Sequence, residues 1–202
     1  MHAYTLQEGK KLVNAARAAV ELYIKNPQFK PEIVENSISE FDEKTGIFVT
    51  IEHYPTRALR GCVGFTRSNK PIKKTLVLAS LAAAFEDPRF IPISRPELEE
   101  STIEVSILSR PAIVEGGEKE RLKAIVVGRD GTLIEYGSYS GLLLPIVAVE
   151  QKWGAERYLD ETCVKAGLPE DYWKQKNVRL YKFQTQIFRE ESPGGKIIEI
   201  RL

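Results

Sequence analysis

The segment Leu59-Arg60-Gly61-Cys62-Val63-Gly64-Phe65 has the residue types and spacing that could do chemistry. Two glycines flank a cysteine in a predicted strand, where glycine indicates a bulge or the close approach of a ligand to the backbone. Arg60 lies two residues before Cys62, so strand alternation places both side chains on one face. A guanidinium beside a thiol lowers the pKa of the thiol and favours the nucleophilic thiolate. This pattern predicts a nucleophile or redox thiol at Cys62, an anion-binding group at Arg60, and access for a ligand at Gly61 and Gly64.

A structural interpretation of the same cysteine stays open. A free cysteine in a strand is often a small buried hydrophobic residue. This interpretation does not explain Arg60, because a buried arginine requires a partner. His53, in the preceding loop, is either a solvated loop residue or a general base for Cys62, depending on whether the hairpin brings the two side chains together.

A second candidate segment, 84–90, follows a helix predicted over 72–86. We expect Glu86 to act as an assisting catalytic carboxylate, and Asp87 and Arg89 to contribute to ligand binding. The alternative is that these charges form ion pairs at the end of the helix, where such pairs are common and weak.

Other sequence features exclude several kinds of site. The stretch 137–141 has the Gly-Xaa-Ser-Xaa-Gly pattern of a nucleophile elbow, but an apolar strand follows it where a helix is required. Gly128 to Gly131 lacks the Gly-Lys-Ser/Thr that completes a phosphate-binding loop. The chain has two cysteines and two histidines, fewer than a clustered zinc site needs, so we expect no metal and no cofactor. Cys163 lies within a predicted amphipathic helix and is expected in the core.

The composition is that of a soluble globular protein. The chain has 202 residues, of which 43% are hydrophobic and 28% charged, and its net charge is +1. This balance disfavours strong nucleic-acid binding and attachment to an anionic membrane. We find no signal peptide and no apolar run that could span a membrane, so we expect a cytoplasmic protein with reduced thiols. Asn and Gln total only 11, which favours a thermophilic source.

The pattern of elements predicts an α+β fold, with a largely antiparallel or mixed sheet packed against helices. We expect one domain over residues 1–202, with a larger and a smaller subdomain and a seam near 90–100, where Pro92 and Pro96 lie. The predicted elements are helices over 6–25, 72–86 and 155–166, a helix that begins at Pro145, strands over 47–51, 58–65, 140–144 and 196–202, a half-buried strand over 102–108, a hairpin joining 124–127 to 132–136, and one long strand over 178–188.

The hexapeptide Leu-Arg-Gly-Cys-Val-Gly at 59–64 resembles the signature of the AMMECR family, which usually has Ile at the fifth position. Further similarity at 84–90, 141–149 and 162–173 extends the resemblance over nearly the whole chain in the same order. The resemblance implies an α+β fold with two subdomains and, in prokaryotes, a functional link to Memo-like and radical-SAM proteins. The family has no established activity. Ile146 stands where relatives often have Gln.

Two functions are compatible with these residues. In the first, the protein is a small enzyme or an enzyme-maturation partner, with a pocket around Leu59–Gly64 that uses Cys62 and Arg60. In the second, it is a non-catalytic module that binds a protein or a nucleic acid, and Cys62 is structural. The exposure of the Cys62 sulfur should distinguish them, because a nucleophile must be reached by its substrate.

Overall fold

The computed structural model of the chain describes residues 3–201. Its helices are α1 (Leu6–Lys25), α2 (Glu32–Ser37), α3 (Ile72–Phe85), α4 (Arg95–Glu99), α5 (Glu118–Ala124), α6 (Pro145–Glu150) and α7 (Ala155–Lys165), with a 3-10 turn at Tyr172–Lys174. Its strands are β1 (Gly46–His53), β2 (Leu59–Phe65), β3 (Ser101–Leu108), β4 (Ala112–Ile113), β5 (Gly131–Tyr136), β6 (Tyr139–Leu143), β7 (Arg179–Phe183), β8 (Thr185–Glu190) and β9 (Ile197–Ile200).

The described chain forms two units, each with its own antiparallel sheet. Unit 1 comprises residues 3–108 and 186–201 and contains a five-stranded sheet in the order β2-β1-β3-β8-β9. Unit 2 comprises residues 109–185 and contains a four-stranded sheet in the order β4-β7-β5-β6. The predicted α+β class is therefore confirmed. Residues 90–100, where the sequence places a seam, lie within unit 1.

The core of unit 1 forms between its sheet and the helices α1 and α3. A capping box begins α1: the Thr5 hydroxyl accepts the Glu8 N–H, and the Glu8 carboxylate accepts the Thr5 N–H. From there α1 buries one apolar face against α3, β3 and β9, while α3 packs on β1 and β2. Strand β2 is at the edge of the sheet, so it has a neighbouring strand on one side only. Helix α3 packs on this edge strand.

Strand β3 is buried at all eight positions, so its predicted half-burial is wrong. It is the central strand of the five-stranded sheet. The side chains of Ser101, Thr102 and Glu104 have partners within unit 1, whereas the buried Ser106 hydroxyl has no hydrogen-bond partner in the described chain. The Thr102 hydroxyl donates to the Glu52 carbonyl at 3.5 Å, and Glu104 pairs with Arg189 at 3.5 Å. The alternation of polar residues in β3 therefore does not mark a side of the strand that faces solvent.

The core of unit 2 contains Trp173, Tyr158 and Cys163, packed beneath β5 and β6. The predicted hairpin between 124–127 and 132–136 is wrong. Residue 124 ends α5, and the segment after it turns because the Asp130 carboxylate accepts the Val126 N–H at 3.0 Å. Strand β5 instead forms its hairpin with β6, across a two-residue turn.

The single long strand predicted over 178–188 is two strands that belong to different sheets. The break is at Gln184, whose N–H donates to the Ser109 hydroxyl at 2.8 Å and whose carbonyl accepts the Ser109 N–H at 2.8 Å. These bonds end the β7 ladder, and the chain then enters β8. The segment 90–100, for which the sequence predicts a seam, contains the helix α4, whose start is marked by a capping box between Ser94 and Glu97. Within residues 3–201, no helix is long and apolar enough to cross a membrane.

Candidate functional site

Cys62 lies in the middle of the edge strand β2, directly opposite Thr50 of β1. Its backbone N–H donates to Oδ2 of Asp87 at 2.9 Å, and its carbonyl accepts from Nη2 of Arg89 at 3.3 Å. Both groups therefore point away from β1, which makes Cys62 and Thr50 a non-hydrogen-bonded pair with close side chains. The Thr50 hydroxyl accordingly donates to Sγ of Cys62 at 3.3 Å. Asp87 and Arg89 cover the strand edge where a further strand would otherwise pair.

The Asp87 carboxylate is the centre of this arrangement. It follows the end of α3, and its side chain is 3% exposed. Besides the Cys62 N–H, it accepts from Arg89 through Nη2 at 2.6 Å, Nε at 2.9 Å and the backbone N–H at 3.1 Å. The hydrogen bonds from Arg89 are the main reason that the pKa of Asp87 is well below its usual range, and burial opposes them. Asp87 is therefore a fixed negative charge that holds Arg89 against β2.

The hydrogen-bonded pair of Asp87 and Arg89, which we call the Asp87 clamp, leaves part of the Arg89 side chain exposed to solvent. That side chain is 49% exposed, while Nε and Nη2 are bound to Asp87. Within residues 3–201, its Nη1 makes no hydrogen bond, so the N–H donors of Nη1 remain available. The guanidinium also lies over the ring of Phe90, with 5.5 Å between its carbon and the ring centroid. A half-exposed arginine with free donors can bind a carboxylate or phosphate.

The Cys62 thiol is half-buried, and burial raises its pKa, which is opposite to the sequence prediction. The Thr50 hydroxyl and the charge of Arg89 favour the thiolate and offset part of this effect. Glu104 and Asp87 oppose it. Cys62 is therefore a neutral thiol near pH 7, and the cation that acts on it is Arg89.

Comparison with known proteins places the chain in a family. Residues 13–188 match the AMMECR1 family. This chain belongs to the AMMECR1 family. Protein MJ0810 of Methanocaldococcus jannaschii is 43% identical over 203 residues, covering 100% of both chains. A protein of Methanococcus aeolicus is 44% identical over 200 residues, covering 98% of this chain and 99% of the relative.

The crystal structure of the uncharacterized protein PH0010 from Pyrococcus horikoshii has the same fold. It superposes with a TM-score of 0.90 at 43% sequence identity, and the match covers 97% of this chain and 98% of that one. The resemblance read from the hexapeptide is thus confirmed for the AMMECR1 family. The relatives and the solved structure are archaeal proteins, and the family match carries no specific activity.

Arg60 of the AMMECR1 hexapeptide lies away from the Cys62 thiol. The β1–β2 register shifts between Ile51 and Glu52, which pair with Gly61 and Leu59, so Arg60 is the extra residue of a β-bulge. Its 4%-exposed side chain turns toward the loop after α3. The strand alternation that predicted a shared face for Arg60 and Cys62 is interrupted by this bulge.

In its observed position, Arg60 binds the segment that carries Arg89. Its Nη2 donates to the Ile91 carbonyl at 2.7 Å, and its Nε donates to Oε1 of Glu97 at 3.1 Å. The hydrogen bond from Arg60 is the largest cause of a Glu97 pKa lowered to about 2. The guanidinium also stacks on the ring of Phe90 at 5.6 Å, so this ring contacts both arginines. Nη1 of Arg60 is buried with no hydrogen-bond partner in the described chain.

The two glycines of the hexapeptide are sites where other atoms of the protein approach closely, and ligand access at Gly61 and Gly64 stays a prediction. A Cβ on Gly61 would collide with the backbone carbonyl of Ala83 in α3. A Cβ on Gly64 would collide with the ring of Phe48 and the carbonyl of Ile47. Gly61 therefore lets β2 pack directly on α3, close to the point where α3 leads into Asp87.

Three other residues singled out in the AMMECR1-family sequence lie outside this arrangement. Glu86 is exposed and, within the described chain, makes no side-chain hydrogen bond or ion pair. His53 ends β1 and lines a separate cavity of about 250 Å³ in unit 1 with Arg57 and Arg189. Cys163 is fully buried in unit 2, as expected, and burial raises its pKa to about 11. Among residues 3–201, no group of three or more His, Cys, Asp or Glu could hold a metal ion.

Sequence reasoning missed three residues of the site: Thr50, Phe90 and Glu97. The partner of Cys62 depends on strand register, which no local pattern gives. Glu97 had a detectable signal in the capping box with Ser94, whose hydroxyl and N–H both contact the Glu97 carboxylate. Phe90 has no local signal of its role, since its contacts with two arginines depend on how the loop folds back.

Proposed function

We propose that this AMMECR1-family protein is a small enzyme or an enzyme-maturation partner whose ligand-binding site is the Cys62–Arg89 edge of β2. The observation that carries the proposal is the Asp87 clamp, which binds Nε and Nη2 of Arg89 next to the Cys62 backbone and leaves Nη1 without a hydrogen bond in the described chain. A buried carboxylate that fixes a half-exposed guanidinium supports anion recognition, because the arginine needs no reorganisation to bind. The ligand accordingly carries a carboxylate or phosphate group.

Each residue has a distinct role in this proposal. Arg89 binds the anionic group of the ligand, and Asp87 positions Arg89. Cys62 supplies a neutral thiol that becomes a nucleophile only when a base on the ligand or on a partner protein removes its proton. Arg60 positions the loop through the Ile91 carbonyl and Glu97 rather than contacting the ligand.

A non-catalytic binding module is the second candidate, and one observation favours it. Burial raises the pKa of the Cys62 thiol, as expected for a cysteine that only packs. In that case the exposed donors of Arg89 would dock an acidic segment of a partner protein, and the thiol would have no role.

Alkylation of Cys62 distinguishes these functions and tests for the cation beside it. A Cys163→Ser background removes the other thiol, and the rates with iodoacetate and with the neutral iodoacetamide are compared by mass spectrometry. The proposal expects native Cys62 to favour iodoacetate more than the urea-unfolded chain does. Arg89→Gln should abolish that preference, whereas Arg95→Gln, which removes an exposed charge that pairs with Glu99, should keep it.

Two results would contradict the enzyme proposal. If Cys62 reacts only after unfolding, the thiol is structural and the binding module is supported. If native Cys62 reacts but shows no preference for iodoacetate, Arg89 does not present its charge to a ligand at the thiol.

A further inference from the structure

Unit 2 contains a cavity of about 310 Å³ whose charged lining residues are mostly cationic. It lies where the loop after Leu108 meets the end of β7 and the turn before β5. Three cationic side chains, those of Arg110, Arg129 and Lys182, line it against the single carboxylate of Asp130. Its volume is in the range of small-molecule sites, which start at about 300 Å³.

The one carboxylate in this cavity already accepts three hydrogen bonds from the protein. Asp130 has a side chain that is 3% exposed, and it accepts Nε of Arg129 at 2.9 Å, Nη2 of Arg129 at 2.8 Å and the Val126 N–H at 3.0 Å. It therefore neutralises one guanidinium and orients it. Arg129 stays 52% exposed, and its Nη1 makes no hydrogen bond within residues 3–201. This is the same device as the Asp87–Arg89 clamp in unit 1: a buried aspartate holds one edge of an arginine and leaves the other edge free.

The other two cationic side chains of the cavity, Arg110 and Lys182, have no second carboxylate in the lining to balance their charges, and they keep unused hydrogen-bond donors. Arg110 is exposed and forms no hydrogen bond or ion pair with any described residue. Lys182 is half-buried and donates to the Ala124 carbonyl at 2.8 Å, which uses one of its three ammonium protons. The Ser109 hydroxyl accepts the Gln184 N–H at 2.8 Å, so its own proton is free to donate. Four donor side chains thus line one concave surface that carries two charges more than its carboxylate balances.

We propose that this cavity is a second binding site, which takes the phosphate group of a small phosphomonoester. A phosphate dianion matches the two uncompensated charges, and its oxygens suit guanidinium and hydroxyl donors. The donors line one concave surface rather than form a basic stripe, which favours a small ligand over a nucleic-acid backbone. The site is independent of the Cys62 site, since no residue belongs to both.

Isothermal titration calorimetry with inorganic phosphate and with phenyl phosphate tests the proposal. Arg110→Gln is the informative variant, because Arg110 is exposed and its loss removes no hydrogen bond or ion pair with a described residue. A charge-assisted hydrogen bond is worth about 1.5–3 kcal/mol, so this change should weaken phosphate binding about tenfold or more. Lys176→Gln, which removes one exposed charge of unit 2 outside the cavity, and Arg89→Gln, which alters the Cys62 site, should leave the affinity unchanged.

Every other pattern overturns the proposal. The absence of phosphate binding at millimolar concentration shows that the cavity is not a phosphate site. Binding that is lost with Arg89→Gln but kept with Arg110→Gln assigns the anion to the Cys62 site instead. An equal weakening in all three variants, abolished by moderate salt, shows nonspecific surface attraction. Tighter binding of a longer oligonucleotide than of phenyl phosphate, with the same loss in Arg110→Gln, shows a nucleic-acid surface.

Discussion

The carboxylate of Asp87 accepts the backbone N–H of Cys62 at 2.9 Å, so a side chain from the end of α3 occupies the place of a neighbouring strand. The same carboxylate holds Arg89, which in turn donates to the Cys62 carbonyl. The edge of β2 is closed by two side chains, and a guanidinium is fixed beside the thiol. One buried residue, Asp87, therefore both covers the edge of β2 and orients the arginine of the proposed anion site.

Removal of the Asp87 charge should destabilise unit 1 and release Arg89. Asp87→Asn keeps the size of the side chain but removes a charged acceptor of four hydrogen bonds, at a cost of about 1–3 kcal/mol in the free energy of unfolding. Urea unfolding at pH 7 measures the change. Asp42→Asn, which removes the exposed partner of Lys73, is the control and should change stability little. An equal effect of both substitutions would contradict a special role for the Asp87 clamp.

The lowered pKa values of Asp87 and Glu97 predict a loss of stability in acid. Both carboxyl groups have a lower pKa in the folded than in the unfolded chain, so the unfolded chain binds more protons as the pH falls. Their contribution is complete above the unfolded values of about 3.9 and 4.3 and is lost as the pH falls toward the folded values. Urea midpoints measured from neutral pH to pH 2 should fall steeply below pH 4, with a shallower fall in Asp87→Asn. A wild-type midpoint that is flat over this range would refute the prediction.

The sequence was sufficient for elements with a strong local signal. The capping box at Thr5, the apolar period of α1, and the proline that follows α3 determine those helices locally. The segment 178–188 failed because its continuous β pattern contains no sign that Gln184 bonds to Ser109, 75 residues earlier in the chain. Such a bond depends on the tertiary fold, which a local pattern does not include.

The sequence identified most residues of the candidate site, but it did not predict how their side chains are arranged. Cys62, Asp87 and Arg89 were all selected from the sequence, and the structure brings them together. The pairing of Arg60 with Cys62 failed, because one bulge residue changes the face to which a strand side chain points. The sign of the Cys62 pKa shift also depends on burial, which the order of residues does not give.

The Arg60–Glu97 pair should be asymmetric in its response to substitution. Arg60 is 4% exposed, whereas the Glu97 side chain is 33% exposed. Glu97→Gln leaves a buried, unneutralised guanidinium while keeping a capping residue for Ser94, and we expect it to cost about 2–3 kcal/mol of unfolding free energy. Arg60→Met removes the buried charge, including the unpartnered Nη1, and should cost less, about 1 kcal/mol. Chemical denaturation of both variants measures this order, and a larger loss for Arg60→Met would disprove it.

Gly61 should tolerate no side chain, because β2 and α3 meet at its Cα. A Cβ on Gly61 would collide with the Ala83 carbonyl, a backbone atom that cannot rotate away, so Gly61→Ala must separate the strand from the helix. We expect a loss of at least about 2 kcal/mol in unfolding free energy. Because α3 leads directly into the Asp87 clamp, the preference of Cys62 for iodoacetate should fall as well. Gly154→Ala is the matched control: a Cβ there meets nothing within 4 Å, and its cost as a helix N-cap should stay below about 1 kcal/mol. If Gly61→Ala unfolds at the same denaturant concentration as Gly154→Ala, the glycine is not required for packing against α3, and its place in the hexapeptide must have another cause.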